Sequence, residues 1–227
     1  MTGERHVVAI GGAGFAPASA PLLRFILGQA GTGRPSVVYL PTASGDSRDG
    51  IVRFYEAFGR FDCRLSHVEL FGAPERGRVE RGLLEADVVY VGGGNTANML
   101  AIWRVHGVDR LLREAWERGT VLTGTSAGAN CWFEACTTDS FGPIVPLEDG
   151  LGLLGGSFCP HYDAEPDRRP TYLRLVQAGF PPGYAAEDGA ALHFRGGDLA
   201  GAVGVGGAKA FRVEPGGETP LTVRTLG

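Results

Sequence analysis

In this chain of 227 residues, the segment whose residue types and spacing could do the most chemistry is Gly124-Thr-Ser126-Ala-Gly128. It directly follows the apolar run Thr120-Val-Leu-Thr123 and precedes the helix-compatible Ala127-Gly-Ala-Asn130. G-x-S-x-G at a strand-to-helix junction is the pattern of a nucleophile elbow, in which small flanking residues let the backbone turn sharply and leave the serine hydroxyl exposed. The helix start would lend it a positive field, and the next amide, that of Ala127, could donate to an oxyanion. The bland reading is a glycine-rich turn carrying a chance serine, and the flanking strand and helix favour the nucleophile.

A serine hydroxyl needs a base. Of five histidines, His6, His67 and His193 fall in strand-like runs, and His106 falls between two helices. His161 differs, because Phe158-Cys-Pro-His161-Tyr-Asp163 has no periodicity and follows Gly155-Gly156. Irregular chain beyond a strand end is where a general base belongs. An ordinary loop histidine is the competing reading. The third member should be a carboxylate that fixes the imidazole tautomer. Asp139, Glu134, Glu148 and Asp149 lie between Ser126 and His161, and Glu187 and Asp188 come later. Spacing leaves that choice open.

Gly92-Gly93-Gly94-Asn95 can be read as a phosphate-binding turn, as the second half of an oxyanion hole, or as a plain tight turn. Beside an activated serine the oxyanion reading fits best. Neither this stretch nor Gly11-Gly-Ala-Gly14 fits G-x-G-x-x-G, and no Walker A sequence occurs, so a nucleotide cofactor is not expected. Arg168 and Arg169, just after His161, read either as part of a solvated loop entering a helix or as a clamp for a substrate carboxylate. His161, Asp163 and Glu165 lack a second histidine at ligand spacing, so no metal site is expected.

These residues must be positioned by something, and the chain alternates strand, glycine turn and helix. His6–Ile10, Ser36–Leu40, Arg64–Phe71, Ala86–Val91 and Thr120–Thr123 read as strands. Between them lie helical patterns: Leu22, Leu23, Ile26 and Leu27; then Ile51, Phe54, Tyr55 and Phe58; then Met99, Leu100 and Trp103, with Thr96 as a cap; and Leu111 to Trp116. This alternation predicts an α/β fold with a parallel doubly wound sheet. Near residue 185 the texture changes, and 190–194, 199–205 and 208–213 read as short strands parted by Gly-Gly turns, a β-rich C-terminal edge. One domain over residues 1–227 is expected.

Composition narrows the function. Apolar residues are 44% and charged ones 20%, enough for a packed core. Net charge is −4, and Lys209 is the only lysine, so no basic footprint for nucleic acid or an anionic membrane exists. No apolar run is long enough to span a bilayer, and the start, from Met1, carries no apolar leader. Cys63, Cys131, Cys136 and Cys159 form no C-x-x-C pair and read as reduced thiols, giving a cytoplasmic expectation.

Val91-Gly-Gly-Gly-Asn-Thr96, Gly124-Thr-Ser-Ala-Gly-Ala-Asn130, Thr137-Thr-Asp139, Pro143-Ile-Val145, Pro160-His161-Tyr162 and the later Ala186-Glu-Asp-Gly-Ala-Ala-Leu192 occur in that order. Together they resemble the peptidase E family, which holds aspartyl dipeptidases and cyanophycinases, over nearly the whole chain. The resemblance implies a flavodoxin-like or class I glutamine-amidotransferase-like sheet carrying a serine triad. It implies Ser126 as nucleophile, His161 as base, and an acid at or next to Asp139, with Glu134 as the other choice. Gly93 or Gly94 with Ala127 would form the oxyanion hole, and Asn95, Arg169 and Arg168 would contact substrate. The elbow here reads Gly-Thr-Ser where the aspartyl dipeptidases usually have Gly-Trp-Ser, and the loop after the histidine is shorter. The resemblance thus implies a serine exopeptidase of short peptides, with N-terminal Asp-X dipeptides as first candidates, no cofactor, and a homodimer as the assembly. A cyanophycinase-like β-aspartyl hydrolase and a non-catalytic binding protein on the same fold are the rival readings.

Overall fold

The computed structural model describes residues 4–227, and the start of the chain read for a leader, Met1 to Gly3, lies outside them. The first half builds the expected alternation: β1 (His6–Ile10), α1 (Ala20–Leu27), β2 (Ser36–Leu40), α2 (Arg48–Phe58), β3 (Arg64–His67), α3 (Arg76–Leu84), β4 (Val88–Val91), α4 (Thr96–His106), α5 (Val108–Glu117) and β5 (Val121–Thr125). Then come α6 (Ala127–Asn130), β6 (Phe133–Thr138), β7 (Val145–Leu147), β8 (Leu154–Cys159), α7 (Arg168–Gln177) and β9 (Gly183–Ala186). The chain ends with β10 (Ala190–Arg195), β11 (Asp198–Gly204), β12 (Ala210–Glu214), β13 (Gly217–Pro220) and β14 (Val223–Thr225).

Two sheets result. The eight-stranded one runs β14-β11-β10-β1-β5-β4-β2-β3, and the stretch from β1 to β3 is parallel. It is doubly wound, of the flavodoxin-like and class I glutamine-amidotransferase-like kind. Its central strands β1, β2, β4 and β5 are buried on both faces, as a sheet covered on both sides requires. Val8, Ile10, Tyr39 and Tyr90 pack with α1 and α2 residues such as Leu22, Ile26, Phe54 and Phe58. Their neighbours Val7, Ala9, Leu40 and Val91 face the other core, with Met99, Trp103, Trp132 and Phe158.

The six-stranded sheet, β13-β12-β9-β8-β6-β7, is where the structure departs from the sequence reading. No strand is expected from the sequence over residues 133–159, yet they supply three of its strands. Tyr172 and Val176 of α7 pack against Cys159, Ala185 and Phe211 to close a third core beneath it. The cap of α4 is Asn95 rather than Thr96, its side chain accepting from Asn98 N. Among the described residues no helix is long and apolar enough to cross a membrane.

Candidate active site

Ser126 sits where β5 ends, at φ 56° and ψ −116°, a conformation that a residue with a Cβ adopts only when its surroundings impose it. The imposing contacts are visible. Ser126 N donates to Ile10 O at 3.1 Å, and Ser126 O accepts from the amides of Ala129 and Asn130, both at 2.9 Å. A Cβ on Gly128 would collide with Val91 of β4, and one on Gly124 with the Gly128 carbonyl, so both outer glycines of the motif are required by close backbone passage.

His161 follows β8 of the second sheet, also at positive φ, 51°. Its amide donates to Gly11 O at 3.2 Å, and its Nδ1 donates to Asp188 Oδ1 at 2.7 Å. Asp188 lies on the turn between β9 and β10, where the chain leaves one sheet for the other, and it forms an isolated bridge with Gly12. Its own amide donates to Asp163 Oδ1 at 3.0 Å. Three consecutive residues at the end of β1, namely Ile10, Gly11 and Gly12, thus hold the serine, the histidine and the aspartate in turn.

Ser126 and His161 line one pocket of about 840 Å³ with Gly93, Gly94, Thr125, Tyr39 and residues of α2. Among the described residues no hydrogen bond joins the imidazole to Ser126 Oγ, and such bonds commonly tighten only around a substrate. With Nδ1 occupied by Asp188, Nε2 is the nitrogen left for the hydroxyl. Gly93 approaches the serine closely, a Cβ there falling 3.3 Å from Ser126 Cβ. Gly92 N donates to Leu40 O and Asn95 N to Ala43 O, while no acceptor is found among the described residues for the amides of Gly93 and Gly94. Ala127 opens α6, so its N–H is one of the helix-start amides without an intrahelical partner.

Other sequence candidates lie elsewhere. Asp139 is exposed and pairs with Arg168 at 3.4 Å, not with His161. Glu134 accepts from Gly156 N at 2.9 Å, Asp149 pairs with Arg104 at 2.6 Å, and Glu187 accepts from Lys209 N at 2.8 Å. In the sequence Asp188 is only one of the later alternatives. Its signal is its place one residue before Gly189 in the segment that opens β10, and reading it requires β10 to be antiparallel to β1.

Neither predicted clamp arginine lines the pocket. Arg168 is 2% exposed, donating to Glu165 Oε2 at 2.6 Å and to Thr137 O at 3.4 Å, and so ties α7 to β6. Arg169 pairs with Glu218 and lies over the rings of Tyr162 and Phe211. Asn95 spends its amide group on Ser140 O at 2.9 Å and its carbonyl on the α4 cap. The charge that does reach the pocket comes from α2, through Asp49, Arg53, Glu56 and, just past the helix, Arg60. Sequence reasoning missed these because they read as an ordinary solvated helix face.

A strained serine after a parallel strand, a histidine backed by a carboxylate and free amides beside the serine define the serine-hydrolase class. The family model described as "Peptidase family S51" matches residues 7–201, and the chain belongs to that family; it is a serine-type peptidase. "Uncharacterized peptidase YgaJ" of Bacillus subtilis (strain 168) is 49% identical over 231 residues, covering 98% of this chain and 100% of that protein. "Peptidase E" of Haemophilus influenzae is 30% identical over 135 residues, 54% of this chain and 61% of that protein. Among solved structures, a peptidase from an acI-B1 Actinobacterium shares the fold at TM-score 0.72 and 17% identity, over 98% of this chain and 96% of its own. A putative peptidase E from Listeria monocytogenes EGD-e does so at 0.66 and 20%, over 86% and 96%.

Proposed function

We propose that the chain is a serine exopeptidase of short peptides working through Ser126, His161 and Asp188. The observation that carries this reading is the 2.7 Å bond from His161 Nδ1 to Asp188, on the wall of the pocket that Ser126 enters. Asp188 holds the imidazole in the tautomer whose Nε2 is a base and stabilises the imidazolium that forms. His161 takes the Ser126 proton as Oγ attacks the scissile carbonyl. The developing oxyanion is met by the Ala127 amide and by that of Gly93 or Gly94. Collapse expels the amine, which leaves with the proton from His161. Water, deprotonated by the same imidazole, then releases the acyl group and restores Ser126. The route draws on no cofactor.

Arg168 and Arg169 are committed to Glu165 and Glu218, so neither is free to recognise an N-terminal aspartate, and short peptides stand as the substrate class. Cys131, Cys136 and Cys159 are free and buried, which accords with a reducing, cytoplasmic setting. The test is turnover of a peptide panel, with Asp-X, β-Asp-X and neutral N-termini, by the parent and by Ser126→Ala, read by mass spectrometry. Cleavage by the parent alone supports the reading, and equal product from both proteins rejects it.

A further inference from the structure

The pocket does not stop at Ser126. The start of α2 lies close to the serine through a short chain of contacts. Gly93 nears Ser126, the adjacent Gly92 packs on the Tyr39 hydroxyl, and a Cβ on Gly50 would stand 3.2 Å from that same hydroxyl. From there the pocket wall follows one face of the helix. Asp49, Arg53, Glu56 and Arg60 are spaced by four, three and four residues and all line it. At 1.5 Å of rise per residue, Arg60 stands about 16 Å from Asp49.

These four side chains are exposed. Asp49 with Arg53 and Glu56 with Arg60 have the spacing at which helical ion pairs form. Yet none of the four belongs to an ion pair among the described residues, whose pairs include the i,i+4 pair Arg118–Glu114 on α5. The wall therefore offers its charges to the pocket. A groove of about 840 Å³ and such length exceeds what a dipeptide occupies. An extended chain advances about 3.3 Å per residue, so about three to five residues span the wall from Asp49 to Arg60, the lower figure where the arginine side chain reaches back along it. The group that every unblocked peptide carries at that end is a carboxylate, which a guanidinium binds with two parallel hydrogen bonds.

We propose that Arg60 is the specificity-determining residue at the far end of this groove, where it takes the C-terminal carboxylate of a peptide lying along α2. The preferred substrates are then peptides of about three to five residues rather than dipeptides. The inference rests on Ser126 being a peptidase nucleophile. Arg53, one helical turn from Asp49, is the position a dipeptide's carboxylate would reach instead.

The experiment measures kcat/KM for a series from di- to pentapeptide with a fixed N-terminal residue, each as free acid and as C-terminal amide. It is run on the parent, Arg60→Ala and Arg53→Ala. Expected for the parent are a rise in kcat/KM beyond the dipeptide and a loss of about tenfold on amidation of the longer peptides. In Arg60→Ala the ratio of free acid to amide should collapse toward one, through KM. A dipeptide optimum, an amidation effect that survives in Arg60→Ala, or one removed only by Arg53→Ala overturns the proposal while leaving the serine peptidase reading intact. Failure of the parent to cleave any peptide overturns both.

Discussion

The Nδ1 of His161 and the Oδ1 of Asp188 stand 2.7 Å apart although 27 residues separate them in the chain. The histidine ends a strand of the six-stranded sheet, and the aspartate sits where the chain crosses back to the eight-stranded one. Their contact is thus made at the seam between two sheets, over the end of β1. Asp188→Asn keeps the size and removes the charge that fixes the tautomer. A loss in kcat of about 10³ to 10⁴ is expected, with the melting temperature little changed. Asp139→Asn and Glu134→Gln should stay within a few-fold of the parent in the same assay.

Gly12 is a steric test of that seam. A Cβ there would collide with Asp188 Oδ1 and come within 2.6 Å of His161 Cε1, so Gly12→Ala must push the two side chains apart. Because a displacement of about 1 Å can cost about 10²-fold, kcat should fall that far although residue 12 carries no chemistry. Steady-state kinetics beside thermal melts distinguishes this from unfolding.

Arg168 should matter for stability and not for substrate choice. It is buried with Glu165 on one side and the Thr137 carbonyl on the other. Arg168→Ala leaves those acceptors unpaired and should cost about 2–4 kcal/mol in chemical denaturation. Arg169→Ala removes a partly exposed pair and should cost about 1 kcal/mol or less. Neither change should alter the ranking of acidic against neutral peptides by KM.

Acid should weaken the fold through His193. Burial, followed by the neighbouring His6 and Arg195, pushes its imidazole down to about 4, and His6, 2.9 Å away, is also lowered by burial. A histidine whose folded value is depressed is neutral in the fold and takes its proton more readily when unfolded. Its contribution is therefore full above the ordinary value of about 6.5 and is lost as pH falls from there towards 4. The loss should be on the order of 2 kcal/mol, read as a drop in the denaturation midpoint. His193→Phe should flatten that part of the profile.

The residues that announced themselves in the sequence were those whose local rule is short in range. The Gly124–Gly128 elbow needs only a strand before it and a helix after it, and parallel strands such as β1 and β4 are continuous apolar runs. The carboxylate that partners His161 was legible only as one of six, because what brings Asp188 there is the antiparallel pairing of β10 with β1, a long-range contact. The second sheet escaped notice for a related reason. Glu134, Gly155 and Gly156 interrupt the alternation of β6 and β8, and those strands show register shifts where they pair. Arg168 misled because two arginines just after the candidate base read as a clamp for a substrate carboxylate, whereas this one is buried and paired with Glu165 and Asp139. The α2 wall is ordinary as a sequence and gains meaning only from facing Ser126.

The most direct test of the triad is covalent. A fluorophosphonate attacks only an activated serine, and the modified residue and its rate of formation can be read by mass spectrometry. A triad of Ser126, His161 and Asp188 predicts a single adduct on Ser126, formed at least about 100-fold more slowly in Asp188→Asn and in His161→Ala, and at nearly the parent rate in Asp139→Asn. Labelling that persists in Asp188→Asn but disappears in Asp139→Asn would contradict it.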